Sequence, residues 1–124
     1  IASKGRFDRA VDAKQRARRG LPSISTMSRD EFMESTLDVW EIPPESASRV
    51  GHPAPFPVAL PERLIHMNTY EGELVLDPFM GSGSTGRAAM IEGCKFIGIE
   101  READYAEIAK SRIEARVDLF SVTE

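Results

Sequence analysis

The sequence predicts an α/β fold built on parallel strands. Three observations carry that expectation. Two short apolar runs, Leu74-Val75-Leu76 and Phe96-Ile97-Gly98-Ile99, each end in a carboxylate, Asp77 and Glu100. A stretch of small residues, Gly81-Ser82-Gly83-Ser84-Thr85-Gly86, follows the first run and opens a helical pattern. A second helical pattern follows Glu100, so the order from residue 73 is β-α-β-α, which calls for parallel strands and right-handed crossovers.

Taken in order, residues 5–19 offer just Phe7, Ala10, Val11 and Ala17 as apolar positions. They predict a mostly exposed helix that ends near Gly20-Leu21-Pro22. Ser28 and Glu31 stand at capping-box spacing and open a short helix, with Phe32, Met33, Leu37 and Trp40 as its apolar positions. Between Glu41 and Pro61 lie six of the eight prolines, so this stretch is expected as a stiff, extended loop. Pro61 suits the first position of a helix running to Met67. Tyr70-Glu71-Gly72 reads as a turn and Glu73–Leu76 as the first strand. Ser84–Glu92 reads as a helix with Ala88, Ala89 and Met90 packed inward and Gly93 just past its end. Lys95–Ile99 is the second strand. Ala103–Val117 is a longer helix with Tyr105, Ile108, Ala109 and Ile113 on one face.

At 124 residues the chain fits one small domain, and 41% hydrophobic with 29% charged residues is ordinary for a globular protein. It contains no apolar run of membrane-spanning length and nothing shaped like a signal peptide. The single cysteine, Cys94, rules out a disulfide framework and fits a reducing compartment. The net charge of −4 is unevenly spread: residues 1–20 carry seven basic and two acidic side chains, the rest nine and eighteen. A basic arm on an acidic body is one way to meet a polyanion; a solvated helix face is the plainer reading.

Gly81-x-Gly83-x-x-Gly86 with Glu100 downstream matches a dinucleotide fingerprint, a weak signal by itself. A nucleoside triphosphate would want a lysine after the last glycine, where Arg87 stands. A nicotinamide cofactor is geometrically possible, yet little chain remains to build the catalytic region such enzymes need. S-adenosylmethionine gives every special residue a task. Its ribose hydroxyls want the Glu100 carboxylate. Its carboxylate suits the backbone N–H groups at Gly83–Thr85. Its sulfonium suits Asp77 and the ring of Phe79.

Asp77-Pro78-Phe79-x-Gly81-Ser82-Gly83-Ser84-Thr85 resembles the cofactor motif of amino-methylating DNA methyltransferases, which act on N6 of adenine or N4 of cytosine. Phe96–Glu100 resembles their second motif, and His52–Glu62 their proline-rich motif. The order of the three is that of the family's β-type permutation, and Trp40-Glu41-Ile42-Pro43 is similar to the end of its recognition region. The resemblance implies a partial Rossmann-like methyltransferase fold. Residues 1–51 would be the end of a target-recognition region, and 52–124 the S-adenosylmethionine-binding part. It assigns the cofactor to His52, Pro53, Phe56, Pro57, Asp77, Pro78, Phe79, Gly81, Ser82, Gly83, Ser84, Thr85 and Glu100. The family usually has Lys-Pro where this chain has Phe56-Pro57. The resemblance further implies double-stranded DNA as partner, a restriction-modification role and a cytoplasmic setting.

The family's catalytic tetrapeptide, Asp/Asn/Ser-Pro-Pro-aromatic, is missing. Pro43-Pro44 is flanked by Ile42 and Glu45, which supply neither an acceptor nor a ring. With Ile1 as first residue, the expectation is the C-terminal part of a longer methyltransferase, inactive alone, whose open sheet edge is covered by the missing part or by another copy. The rival expectations are a nicotinamide-binding fragment and a non-catalytic DNA-binding remnant. Cys94 is expected in the core, Trp40 as a packing anchor, His66 on a helix surface, and Ser82 and Thr85 as candidate helix caps. Two histidines and one cysteine make no metal site.

Overall fold

In the computed structural model, which describes residues 12–25, 27–51 and 53–120, β1 (Leu74–Asp77) and β2 (Lys95–Gly98) pair in parallel. Leu74 stands beside Lys95, Val75 beside Phe96, Leu76 beside Ile97 and Asp77 beside Gly98. Side chains alternate between faces along each strand, so the register sorts them into two sets. Val75 and Phe96 point to the covered face and pack against Ala88 and Ala89, both fully buried, on the connecting helix. Leu74, Leu76 and Ile97 share the other face and are 57, 60 and 49% exposed.

Six helices complete the described chain: α1 (Ala13–Arg18), α2 (Arg29–Ser35), α3 (Ala47–Val50), α4 (Ala59–Asn68), α5 (Ser84–Ile91) and α6 (Ala103–Phe120). The small core joins Ile65 of α4 to Ala88, Ala89 and Cys94, with Val58, Val75, Met90 and Phe96 around it. Alanines at these α5 positions let neighbouring elements approach closely. The same logic holds at the α5–α6 seam, where Gly86 faces Ile113 and Gly83 faces Ala109. Cys94 is the expected core cysteine, its thiol near the carbonyl of Tyr70. Gly93 has φ +65° and ends α5 as foreseen.

Several expectations need correction. The helix foreseen over 5–19 starts at Ala13, because extended Asp12 caps it by accepting the Gln15 N–H; residues 1–11 lie outside the described residues. Arg16 of this basic segment is turned to structural use. It contacts the Glu73 carboxylate, donates to the Pro22 carbonyl at 2.6 Å and lies over the Tyr70 ring. The proline-rich stretch accommodates α3, and α4 starts at Ala59, with Pro61 as its third residue rather than its first. Proline is tolerated there because first-turn N–H groups have no helical acceptor. His66 is half-buried, with Nδ1 2.5 Å from the Glu92 carboxylate, rather than a free surface residue. The apolar positions of α2 do not pack inward: Phe32, Met33 and Leu37 stay exposed, and Ser35 is the buried residue. Trp40 is an anchor, donating to the Ser35 carbonyl with Arg63 over its ring.

The capping box at α2 forms as expected, the Glu31 carboxylate accepting the Ser28 N–H at 2.8 Å. That backbone bond, with the Ser28 hydroxyl contact, holds the Glu31 carboxyl below its ordinary range. A lowered folded-state pKa adds helix stability that is complete above the unfolded value, about 4.3, and fades as pH falls through the folded one. An NMR titration should find Glu31 below that value and Ser28→Ala, which removes the hydroxyl and keeps the backbone N–H, should raise it part of the way; equal midpoints in parent and variant would refute the hydroxyl's share in the box. The open sheet face has its own consequence. Ile97→Thr should raise solubility while changing stability by less than about 0.5 kcal/mol, since the side chain packs little. A large drop in melting temperature would show that Ile97 belongs to a closed core.

Candidate functional site

The strands stop, and their ladder is carried on by backbone bonds from the loops. Ile99 N–H donates to the Asp77 carbonyl at 2.9 Å, and Met80 N–H to the Ile99 carbonyl at 3.0 Å. Asp77 then turns the chain: its Oδ1 accepts the Phe79 N–H at 3.0 Å, a local side-chain turn that suits aspartate. Gly81 and Gly83 follow with φ +49° and +81°, values at which a side chain is strained. Gly83 N–H closes the turn on the Met80 carbonyl at 2.8 Å. Gly83 is the N-cap residue of α5, and no side chain caps that end.

Four elements hold this turn. From the end of β2, Glu100 Oε2 accepts the Gly81 N–H at 2.9 Å, while Oε1 accepts the N–H groups of Arg101 and Glu102. From the proline-rich segment, the Phe56 carbonyl accepts the Ser84 hydroxyl at 2.8 Å. From α6, Arg112 Nη1 donates to both the carbonyl and the hydroxyl of Ser82, at 2.6 and 2.8 Å. From α5 itself, Arg87 N–H donates to the Gly83 carbonyl at 3.0 Å. Burial, and after it the Arg87 charge, push the Arg112 guanidinium below its usual pKa, with Glu45 opposing.

A groove of about 380 Å³ opens beside this turn, lined by Phe56, Leu60, Pro61, Leu64, Ile65, Leu76, Asp77 and Thr85. It joins three residues expected from sequence, Phe56, Asp77 and Thr85. Ser82, Gly83 and Ser84 are buried behind the turn, and Pro57 is half-buried. Pro53, Pro78 and Phe79 are exposed, Phe79 by 86%. His52 lies outside the described residues. Two expectations shift: Ser82 and Thr85 cap nothing, and the Gly83 N–H is spent inside the turn. The α5 amides left without helical acceptors are those of its first turn, beginning at Ser84 and Thr85. Sequence reading missed Leu60 and Leu64, though their i, i+4 spacing on one helix face was a signal. It also missed Arg112, one turn from buried Ala109 on α6. A second hollow between α2 and α4, lined in part by Glu34, Arg63, His66 and Glu92, lies elsewhere. Among the described residues no group of three or more His, Cys, Asp or Glu could hold a metal ion, and no helix is long and apolar enough to cross a membrane.

The profile of the N6/N4 methyltransferase family, described as DNA methylase, matches residues 4–111. The chain belongs to this family of DNA methylases. Among curated DNA methylases it is 40% identical over 89 residues to the type II methyltransferase M.BglI of Bacillus subtilis, covering 71% of this chain and 25% of that protein. It is 50% identical over 64 residues to the type II methyltransferase M2.DpnII of Streptococcus pneumoniae, covering 52% of this chain and 24% of that one. The chain thus aligns with about a quarter of these relatives' length. A DNA modification methylase structure from Thermus thermophilus, complexed with S-adenosyl-L-methionine, superposes with a TM-score of 0.64 at 30% identity. The match covers 94% of this chain and 41% of that one. The α/β arrangement described above is therefore that of the S-adenosylmethionine-dependent DNA methylases.

Gly83 offers a direct check on the turn. A Cβ there would lie 2.9 Å from the Ala109 Cβ and 3.0 Å from its Cα, on top of an unfavourable φ. Gly83→Ala should cost about 1–3 kcal/mol in chemical denaturation. A variant as stable as the parent would mean that the α5–α6 seam is looser than described.

Proposed function

We propose that residues 53–100 bind S-adenosylmethionine, and that the chain is the cofactor-binding part of a DNA methyltransferase acting on the exocyclic amine of adenine or cytosine. The observation that carries this reading is the glycine turn clasped between two strand-end carboxylates, Asp77 at its entrance and Glu100 across it. The residues suit this ligand. Two carboxylates and no lysine would repel a triphosphate, whereas they favour a cation and a diol. The groove is of ligand size and mainly apolar, with few polar groups at its end.

S-adenosylmethionine supplies a methyl group on a positively charged sulfur. The chain's own residues then bind and orient. Asp77 favours the positive charge from the end of β1. Glu100 is held by three backbone N–H groups, so its oxygens stand ready at the end of β2; a ribose diol would share or replace the Gly81 N–H. The first-turn amides at Ser84 and Thr85 suit a carboxylate at the positive end of α5. Pro53, Phe56 and Pro57 come from the segment that touches the turn through Ser84, and Leu60 and Leu64 exclude water beside Phe56. Pro78 and Phe79 are exposed, and the Phe79 ring is available to the sulfonium.

Residues 1–51 are then the end of a recognition region, and 52–124, with His52, the cofactor part. The acceptor for the amine hydrogens and the stacking ring for the flipped base come from chain outside these 124 residues. The same outside portion covers the exposed face formed by Leu74, Leu76 and Ile97, because parallel sheets are normally covered on both faces. That the aligned part makes up only about a quarter of the curated relatives supports that occupant. The chain alone is expected to bind cofactor and to transfer nothing.

Calorimetric titration with S-adenosylhomocysteine and, separately, NAD tests the reading. Heat is expected with the former alone, and Glu100→Ala should weaken it by roughly tenfold or more. Binding of NAD instead, or an unaffected Glu100→Ala variant, would overturn the site.

A further inference from the structure

We propose that Arg112 is a positioning residue for the cofactor loop: from α6 it fixes the Ser82–Gly83 peptide that shapes the turn. This rests on the reading of that turn as a cofactor site and adds a residue outside the motifs that define it. The geometry is specific. One nitrogen of Arg112 donates to both the Ser82 carbonyl and the Ser82 hydroxyl. The other end of the same peptide, the Gly83 N–H, is bonded to the Met80 carbonyl. The peptide plane is therefore held at both ends and cannot rotate.

Ala109, three residues earlier on the same face of α6, presses on Gly83 from behind. Together Ala109 and Arg112 make α6 a template: one sets how close the turn comes, the other how its peptide faces. The charge is costly there. Arg112 is half-buried on a seam shared with Arg87, whose buried Nε has no hydrogen-bond partner, and Glu45 is the acidic group acting on it. The bonds to Ser82 offset that cost, and their loss would release the Ser82–Gly83 peptide from Arg112 while leaving the Ala109 contact and every groove-lining group in place.

The test compares Arg112→Met and Arg112→Lys with the parent chain by amide hydrogen exchange, S-adenosylhomocysteine titration and thermal denaturation. Arg112→Met should speed exchange at Gly81 and Gly83 by roughly tenfold and weaken S-adenosylhomocysteine by a similar factor. Core amides of β1 should be much less affected. Arg112→Lys, which keeps a donor and a charge, should recover part of both losses, and it keeps the test alive if the methionine variant does not fold. Unchanged exchange in the turn would overturn the proposal. So would an affinity loss that merely tracks global stability, or a lysine variant no better than methionine. If the parent chain binds no S-adenosylhomocysteine, the cofactor reading fails, and the exchange arm still decides whether Arg112 positions the turn.

Discussion

The backbone of Gly83, left-handed at φ +81° and seated against Ala109 of α6, is the constraint on which the strand-end region depends. A residue with a Cβ could neither adopt that conformation cheaply nor approach the neighbouring helix so closely. With Gly83 in place, the chain reverses between β1 and α5 in a few residues. The helix then starts right after the turn, with Thr85 of its first turn lining the groove. The Gly81 N–H meets Glu100, and the Ser84 hydroxyl meets Phe56. Each of these contacts ties a different element to the same turn.

That arrangement explains why so small a core suffices locally. Ala88, Ala89 and Ala109 are fully buried, but each has only a methyl group to bury, so the hydrophobic stabilisation around α5 is limited. What these small residues provide is proximity, and proximity permits hydrogen bonds across the seam. The polar groups near the turn are accordingly tied down: Ser82 by Arg112, Ser84 by Phe56, Gly81 by Glu100. If the turn holds the proposed cofactor, this rigidity lowers the ordering entropy lost on binding.

The opposite face behaves differently. Leu74, Leu76 and Ile97 present apolar side chains to solvent, as do Phe32 and Met33 on α2 and Leu37 just beyond it. These residues would be ordinary core in a larger domain. Among the described residues, one face of the two-stranded sheet is covered and the other is open. The turn, by contrast, draws its contacts from inside the chain.

By itself, the sequence determined the strand–turn–helix order, the two carboxylate ends, the glycine turn and the Ser28–Glu31 cap. Each depends on residues close along the chain, where glycine, aspartate and serine have strong local preferences. It also carried the resemblance that named the family, through motifs with the same local logic. Only the tertiary structure decided that Glu100 clasps Gly81, that Ser82 belongs to Arg112 rather than to the helix end, and that Leu60 and Leu64 wall the groove. The same holds for His66, expected on a helix surface and set by packing beside Glu92. These pairings join residues up to thirty positions apart, and they follow from how α4 and α6 settle against α5. Hydrophobic periodicity reports which face of a helix is buried; it does not report which polar group waits on the other side.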